Sequence, residues 1–312
     1  MEKYDVIIIG AGPGGMTAAI YTVRANLKTL MLEKGAPGGK MMTTWEVENY
    51  TGVGKVTGFE LSEKMFNHTQ ELGVEYKYGD VTNIIDKGDF KELHTQSGEV
   101  YETKAVIIAS GTNPRSTGAP GESKLSGKGV SWCAICDGAF FKNQDIAVIG
   151  GGNSAIEEAV YLSKTVNHIT VVNILPTLQA DAKAIDEAEE TGKMDFKLGY
   201  EVVSFDGENQ LETVTIRNVE TKEEEKLVVS GAFVFIGAVP EVSFIKDLDI
   251  KNKWGFIEVD AHMETKVPGV FAIGDVRDKE LRQIITAASD GSIAAVEVSN
   301  YVKNLDRKLK NK

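Results

Sequence analysis

Residues 6–15 of this 312-residue chain read VIIIGAGPGG, and this stretch predicts its fold. The β-branched run predicts a buried strand that ends at Gly10, and a glycine turn leads into a helical pattern from Met16. A second apolar run at 30–32 ends at Glu33, 21 residues after Gly12. This order is the dinucleotide-binding fingerprint, in which the glycines let the backbone approach a pyrophosphate and the acid binds a ribose diol. We predict dinucleotide contacts from Gly10, Gly12, Pro13, Gly14, Gly15 and Glu33.

The same unit returns 140 residues later. The apolar run 146–149 leads into GGGNSA at 150–155, a helical pattern to about Lys164 and a second apolar run at 168–172. At this offset Gly10 pairs with Gly150, whereas Glu33 pairs with Asn173. Two such units in one chain suit an enzyme that moves electrons between two cofactors. We therefore predict an α/β fold of two Rossmann-like domains, each a three-layer ββα dinucleotide-binding fold, with the second inserted into the first.

The rest of the chain indicates where the inserted domain begins and ends. Buried strands that end in glycine turns are predicted at 104–112 and 269–275, and a long helix of small residues follows from 281 to about 302. We expect one discontinuous domain from 1–115 and 245–312, and an inserted domain from 116–244. The tail at 303–312 has the composition of a solvated helix end.

Charge and hydropathy exclude several kinds of partner. The chain has 34 Lys and Arg against 46 Asp and Glu, a net charge of −12, whereas nucleic acids and anionic membranes demand a basic surface. No apolar run approaches the roughly 20 residues of a membrane span, and the N-terminus has no signal-like stretch. We expect no nucleic-acid partner, no membrane insertion and a cytoplasmic location.

The only two cysteines are Cys133 and Cys136, which form a CxxC motif. Such a pair can close a small disulfide ring and exchange with partner disulfides. Half of a zinc site is the alternative, but there is no second CxxC and the four histidines lack ligand spacing, so no metal is predicted. Asp137 follows directly; it suits a proton donor and acceptor for the thiols, or else a turn residue before Gly138.

Six motifs in order resemble the low-molecular-weight thioredoxin reductases, a family of flavoprotein disulfide reductases, over essentially the whole chain. The motifs lie at 9–15, 46–50, 133–138, 149–158, 271–275 and 282–283. The resemblance implies an FAD domain split around an inserted domain that carries the CxxC and normally binds NADPH. It also implies a homodimer, a rotating inserted domain and thioredoxin as partner. In this scheme Cys136 is the flavin-side cysteine and Cys133 attacks thioredoxin.

The resemblance also assigns flavin contacts along the chain. Asp275 would bind the ribityl chain, and Gln283 opens a helix whose positive end can face the flavin pyrimidine. Lys40 departs from the usual Gly-Gly-Gln, although a lysine there can still donate to the flavin phosphates or ribose. The complete set implied outside the first glycine turn is Gly39, Lys40, Asn49, Val81, Ala109, Gly111, Gly274, Asp275, Arg282 and Gln283.

One departure concerns the electron donor. The family grips the 2′-phosphate of NADPH with a His-Arg-Arg-x-x-x-Arg run, but this chain reads NILPTLQ at 173–179 and has no arginine between Arg115 and Arg217. Losing charge-assisted bonds of roughly 1.5–3 kcal/mol each makes NADPH doubtful as a cofactor. A donor such as reduced ferredoxin is favoured, as in related reductases that do not use pyridine nucleotide. NADPH bound through other groups, such as Lys183, and a non-catalytic flavin-binding redox sensor remain as alternatives.

Overall fold

The run at 2–9 forms a central strand of a largely parallel sheet. In the computed structural model, which describes residues 1–44 and 47–311, Val6, Ile7 and Ile8 of this run are fully buried. Parallel sheets are covered on both faces, so a continuous apolar run suits such a strand better than an alternating one.

The chain forms two compact units, Met1–Asn113 with Val239–Lys312 and Pro114–Ala238. The first part contains β1 (Glu2–Ile9), α1 (Pro13–Arg24), β2 (Thr29–Glu33), α2 (Gly58–Glu71), β3 (Glu75–Tyr78), β4 (Val81–Asp86), β5 (Lys91–Thr95), β6 (Val100–Ile108) and β7 (Thr112–Pro114). Then come β8 (Val130–Ser131), α3 (Ala134–Asp137), β9 (Asp145–Ile149), α4 (Asn153–Ser163), β10 (His168–Asn173), α5 (Ala182–Glu190), β11 (Met194–Leu198), β12 (Tyr200–Asp206), β13 (Thr213–Asn218), β14 (Glu224–Val228), β15 (Gly231–Val234) and β16 (Ala238–Pro240). The last elements are β17 (Val270–Ala272) and α6 (Ile284–Lys310).

Each unit has its own sheet with a parallel core and a dinucleotide-binding strand order. In the first unit the order is β3-β2-β1-β6-β5-β4, with β17 beside β6. The β6–β5 and β5–β4 pairs are antiparallel, and the other neighbours are parallel. In the second unit β11-β10-β9-β15-β8 is parallel, and β12-β13-β14 form a separate antiparallel sheet. The predicted α/β fold with two Rossmann-like domains is confirmed.

The passages between the units differ in position from the sequence expectation of 115/116 and 244/245. They lie after Asn113 and before Val239, where β7 and β16 pair with each other. The return passage comes earlier than expected because Phe244 and Ile245 are buried in the core of the first unit.

Helix α6 packs closely against α1 and is longer than the apolar pattern suggests. A side-chain carbon added at Gly291 would lie only 2.4 Å from the carbonyl oxygen of Gly14, so the two helix backbones approach each other without side chains between them. The helix extends past 302 to Lys310, because Leu305 is buried and Lys308 Nζ lies 2.9 Å from Asp89 Oδ1. Within 1–44 and 47–311, no helix is long and apolar enough to cross a membrane.

Candidate dinucleotide site and redox pair

The first glycine turn has the geometry that a dinucleotide needs. Gly10 has a positive φ of 107°, and a side-chain carbon there would lie 2.3 Å from the carbonyl oxygen of Ala109. The same substitution at Gly15 would place a carbon 2.0 Å from the carbonyl oxygen of Gly10. At Gly12, by contrast, no heavy atom of the described chain outside the adjacent residues lies within 4 Å of such a carbon. The turn is therefore tightly packed inside and open at Gly12, where a pyrophosphate would approach.

A second glycine pair packs beside this turn. The amide of Gly38 donates to the carbonyl oxygen of Ala11 over 2.8 Å, and a side-chain carbon at Gly39 would lie 3.4 Å from Gly12 Cα. The structure thus brings Gly39 next to the first glycine turn. Its contact with a cofactor phosphate stays a prediction.

Glu33 is held in a fixed orientation at the end of β2. Its Oε2 accepts a 2.8 Å hydrogen bond from the amide of Ala11, and its Oε1 accepts one of 2.8 Å from the amide of Gly35. Beside it lies an open cleft, which Val81 also lines. This combination of a positioned carboxylate and a cleft fits the adenosine half of a dinucleotide.

Lys34 and Glu241 line the same pocket, and neither was singled out from sequence. Glu241 accepts hydrogen bonds from Lys34 Nζ at 3.0 Å, Asn113 Nδ2 at 2.6 Å and Ser243 Oγ at 2.6 Å. Burial alone would raise the pKa of Glu241, but these donors hold that pKa at about 2. Glu241 is therefore ionised near neutral pH. No local signal marks it, because its donors lie far away in sequence.

The predicted flavin contacts from two distant segments, 40–49 and 275–283, come together in the first unit. Lys40 Nζ lies 3.0 Å from Asp275 Oδ2, and Asn49 Nδ2 donates to Gln283 Oε1 over 3.0 Å. Arg282 Nε lies 3.4 Å from the carbonyl oxygen of Asp275. Each of these side chains is a polar group that can face a flavin or its polyol. Glu46, in the predicted 46–50 motif, lies outside the described residues.

The remaining predicted contacts are backbone positions near the ends of β6 and β17. The amide of Ala109 donates to the carbonyl oxygen of Ile9 over 2.8 Å, which places it directly beside the first glycine turn. Gly111 and Gly274 have positive φ values of 69° and 71°, which are accessible to glycine without strain. Gly274 opens the short turn that presents Asp275.

The CxxC motif lies at the start of α3 in the second unit, and its cysteines form a disulfide. The backbone amide of Cys133 donates to Ser131 Oγ over 3.0 Å. The backbone amide of Asp137 donates to the carbonyl oxygen of Cys133 over 3.2 Å. Cys133 is half-buried and Cys136 is exposed. A side-chain carbon at Gly138 would lie 2.7 Å from Leu162 Cδ2, so the motif packs closely on α4.

This arrangement makes the disulfide available to a thiol from solvent. Exchange requires access to a sulfur atom. Cys136 is exposed, whereas Cys133, the cysteine expected to attack thioredoxin, is half-buried. Within 1–44 and 47–311, no group of three His, Cys, Asp or Glu side chains is arranged to hold a metal ion.

The second glycine turn, at Gly150, has the same kind of backbone geometry as the first, but the strand beside it ends in Asn173 where the first unit has Glu33. Gly150 has a φ of 133°, and a side-chain carbon there would lie 2.2 Å from the carbonyl oxygen of Phe235. Asn173, at the end of β10, is only 5% exposed, and its Nδ2 donates to the carbonyl oxygens of Thr177 at 2.8 Å and Leu175 at 3.3 Å. Gln179 closes this loop because its amide donates to the carbonyl oxygen of Gly151 over 2.7 Å.

Acidic groups gather where α4 and α5 begin beside this turn. Asp181 accepts from Asn153 Nδ2 over 2.9 Å. Burial, Asp181 and Glu187 together raise the pKa of Glu157, despite the nearby charge of Lys183. A phosphate dianion would be disfavoured by this surrounding charge.

Glu158, the next residue on α4, is half-buried, and its Oε2 is a buried atom. Burial, assisted by the charge of Glu157, raises the pKa of Glu158 to about 7. Its Oε2 has no hydrogen-bond partner in the described part of the chain.

Comparison with known proteins agrees with this architecture. Residues 4–291 match the model of the pyridine nucleotide-disulphide oxidoreductase family. The chain is 48% identical to a thioredoxin reductase of Bacillus subtilis, over 98% of this chain and 97% of the relative. The crystal structure of Lactococcus lactis thioredoxin reductase superposes with a TM-score of 0.95 at 45% identity, covering 96% of this chain and 99% of that one. A ferredoxin-flavin thioredoxin reductase from Clostridium acetobutylicum superposes with a TM-score of 0.53 at 26% identity, covering 100% of both chains.

Proposed function

The chain belongs to the pyridine nucleotide-disulphide oxidoreductase family and, within it, to the thioredoxin reductases. On that basis we propose that it passes electrons from FAD through Cys133 and Cys136 to thioredoxin. The observation that carries this proposal is the accessible Cys133–Cys136 disulfide. The open first glycine turn and the fixed carboxylate of Glu33 add a cofactor site that fits FAD.

The residues of the first unit would divide the cofactor between them. Gly12 and Gly39 would face the pyrophosphate and Glu33 the adenosine ribose, while Asp275 and Gln283 would face the flavin end. FAD bound there supplies a two-electron carrier between the donor and the disulfide.

The cysteines then carry out thiol–disulfide exchange. The thiolate of Cys133 attacks one sulfur of the thioredoxin disulfide, which forms a mixed disulfide and releases the other thioredoxin sulfur as a thiolate. The thiolate of Cys136 attacks the Cys133 sulfur, restores the internal disulfide and releases reduced thioredoxin. Asp137 gives a proton to a leaving thiolate and regains one from solvent. Two electrons pass to thioredoxin in each cycle.

The electron donor in this proposal is not NADPH but a carrier such as reduced ferredoxin. Asn173 uses its amide to hold the loop that follows β10, and no arginine occupies that loop. The acidic groups beside it further oppose a 2′-phosphate. Similarity to the ferredoxin-flavin enzyme of Clostridium acetobutylicum supports the choice of ferredoxin.

An anaerobic titration of the flavin-loaded protein tests both parts of the proposal. We expect reduced ferredoxin to bleach the flavin absorbance and to support thioredoxin reduction, while micromolar NADPH does neither. Rapid bleaching by micromolar NADPH would overturn the choice of donor. Undiminished thioredoxin reduction by C136S would overturn the disulfide route. Sedimentation of the same preparation tests the proposed homodimer.

NADPH-dependent reduction is the second candidate. It is favoured by the retained turn at Gly150 and by Glu158, whose buried and unpartnered Oε2 lies on the helix that follows this turn. Lys183, on the first turn of α5, is a candidate replacement for the missing arginines, although its Nζ lies 3.6 Å from Glu187 Oε1. A non-catalytic redox sensor is distinguished from both enzymes by its failure to turn over with any donor.

A further inference from the structure

A buried ion cluster is centred on the second turn of α6, and none of its charged side chains is among the predicted contacts. Asp290 is only 4% exposed, and its carboxylate accepts hydrogen bonds from three residues. The donors are the amide of Gly274 at 3.0 Å, Arg277 Nε at 2.9 Å with a second guanidinium nitrogen at 3.0 Å, and Lys279 Nζ at 2.7 Å. The side chain of Lys279 is 6% exposed, so the ion pair between Lys279 and Asp290 is screened little by solvent.

The cluster fixes the segment that presents the proposed flavin contacts. Gly274 directly precedes Asp275, whose carboxylate is paired with Lys40 at 3.0 Å. Arg277 and Lys279 hold the other side of the turn, so Asp290 fastens the segment 274–279 at both ends. Asp290 also lies six residues after Ile284, about 9 Å along the helix from its start beside Gln283. One carboxylate thus connects both flavin-facing elements.

We propose that Asp290 is a positioning residue for the flavin, which it serves by holding Gly274 and therefore Asp275 at a fixed distance from the start of α6. This inference rests on the FAD site proposed above. Asp290 touches neither substrate nor cofactor in this role; it acts through Gly274, Arg277 and Lys279. Its effect should therefore be seen in flavin affinity and redox behaviour, besides stability.

The test must separate positioning from the penalty of an unpaired buried charge. Removing the carboxylate alone leaves Lys279 buried without its partner, which destabilises any protein for reasons unrelated to the flavin. The double variant D290A/K279M removes both charges, while Arg277 can turn toward solvent. K279M alone keeps the bonds from Asp290 to Gly274 and Arg277. D278N is the matched control, because Asp278 lies on the same segment but its carboxylate accepts only from Asn252 Nδ2 in the described structure.

The experiment measures FAD dissociation, the visible flavin spectrum, the midpoint potential and thermal unfolding of each full-length variant. We expect D290A/K279M to bind FAD at least tenfold more weakly, and to change the oxidised-to-reduced ratio at a fixed potential at least threefold. D278N should bind FAD within threefold of the parent, whereas K279M, which loses one of the three residues bound to Asp290, should be weakened less than D290A/K279M. D290N, which keeps an oxygen for Gly274, should fall between D290A/K279M and D278N and replaces D290A/K279M if that variant does not fold.

Two results would overturn the inference. One is parental FAD affinity and potential in D290A/K279M despite a lower unfolding temperature, which would make Asp290 a stabilising residue only. The other is equal weakening in D278N. Failure of the proposed function looks different, because the parent protein itself would then fail to retain FAD.

Discussion

Restoring arginines after β10 should create affinity for a 2′-phosphate. Ile174 and Leu175 occupy the two positions where the family run has consecutive arginines, and their side chains are 55% and 47% exposed. An arginine at either position can therefore extend into solvent without displacing the core. The double variant I174R/L175R leaves Asn173 and its hydrogen bonds to the loop in place.

The size of the gain follows from the exposure of the two positions. A hydrogen bond to a charged group contributes roughly 1.5–3 kcal/mol, and half-exposed arginines should give the lower part of that range. Nearby acids, including Asp181, reduce the gain further. We expect about 2–3 kcal/mol for the pair, which corresponds to roughly a 30- to 150-fold decrease in dissociation constant.

The most direct assay is calorimetric titration with 2′,5′-ADP and with 5′-AMP, because these ligands differ only in the 2′-phosphate. We expect I174R/L175R to tighten 2′,5′-ADP by the stated factor and to leave 5′-AMP within about threefold of the parent. The gain should shrink at high salt, since exposed charges are screened. The neutral variant I174Q/L175Q is the matched control for lost apolar surface.

Two outcomes would refute this reasoning. One is equal tightening in I174Q/L175Q, which would show that polarity and not charge limits binding. The other is micromolar affinity of the parent for 2′,5′-ADP, which would show that another group already holds the phosphate and would favour the NADPH-dependent alternative.

Three further substitutions test the charge and proton assignments. Glu241→Gln should lower the free energy of unfolding by about 1.5–3 kcal/mol at pH 7, because the charge that strengthens the bonds from Ser243, Asn113 and Lys34 is lost. Since the pKa of Glu241 is held at about 2, the difference should persist above pH 4.5 and vanish as the pH falls toward 2. Equal denaturation curves at pH 7 would contradict this. Glu158→Gln should raise the free energy of unfolding by about 2–3 kcal/mol at pH 8, since the native carboxyl has a pKa of about 7 against 4.5 when unfolded, so the parent loses stability as the pH rises between those values. No stabilisation at pH 8 would contradict this. Asp137→Asn should slow thioredoxin reduction roughly 100-fold with unchanged FAD content, and a steady-state rate within twofold of the parent would exclude Asp137 as the proton donor.

Features encoded in contiguous residues could be predicted before the structure. The turns at Gly10 and Gly150 depend on short-range backbone requirements, because each glycine packs against a strand end that every dinucleotide-binding fold supplies. The strands, the α/β class and the inserted arrangement follow from the repeated pattern of apolar runs and glycine turns. Cys133 and Cys136 are separated by only two residues, so their pairing needs no long-range information. Asn173 is recognisable for the same reason, because it departs from a short motif.

Contacts between distant segments were decided only by the tertiary structure. Glu241 joins the adenosine pocket because Lys34, Asn113 and the loop after β16 meet there, and none of these segments carries a signal for the others. Asp290 looks in sequence like a polar residue on a helix, yet it is buried where the turn at Gly274 crosses α6. The chain likewise returns to the first unit before Phe244, because the Phe244 side chain is buried in the core of that unit. The fold class and the redox pair can be read from short stretches of residues, because both depend on local patterns. Which charges are buried together depends on packing, because those residues are brought close only by folding.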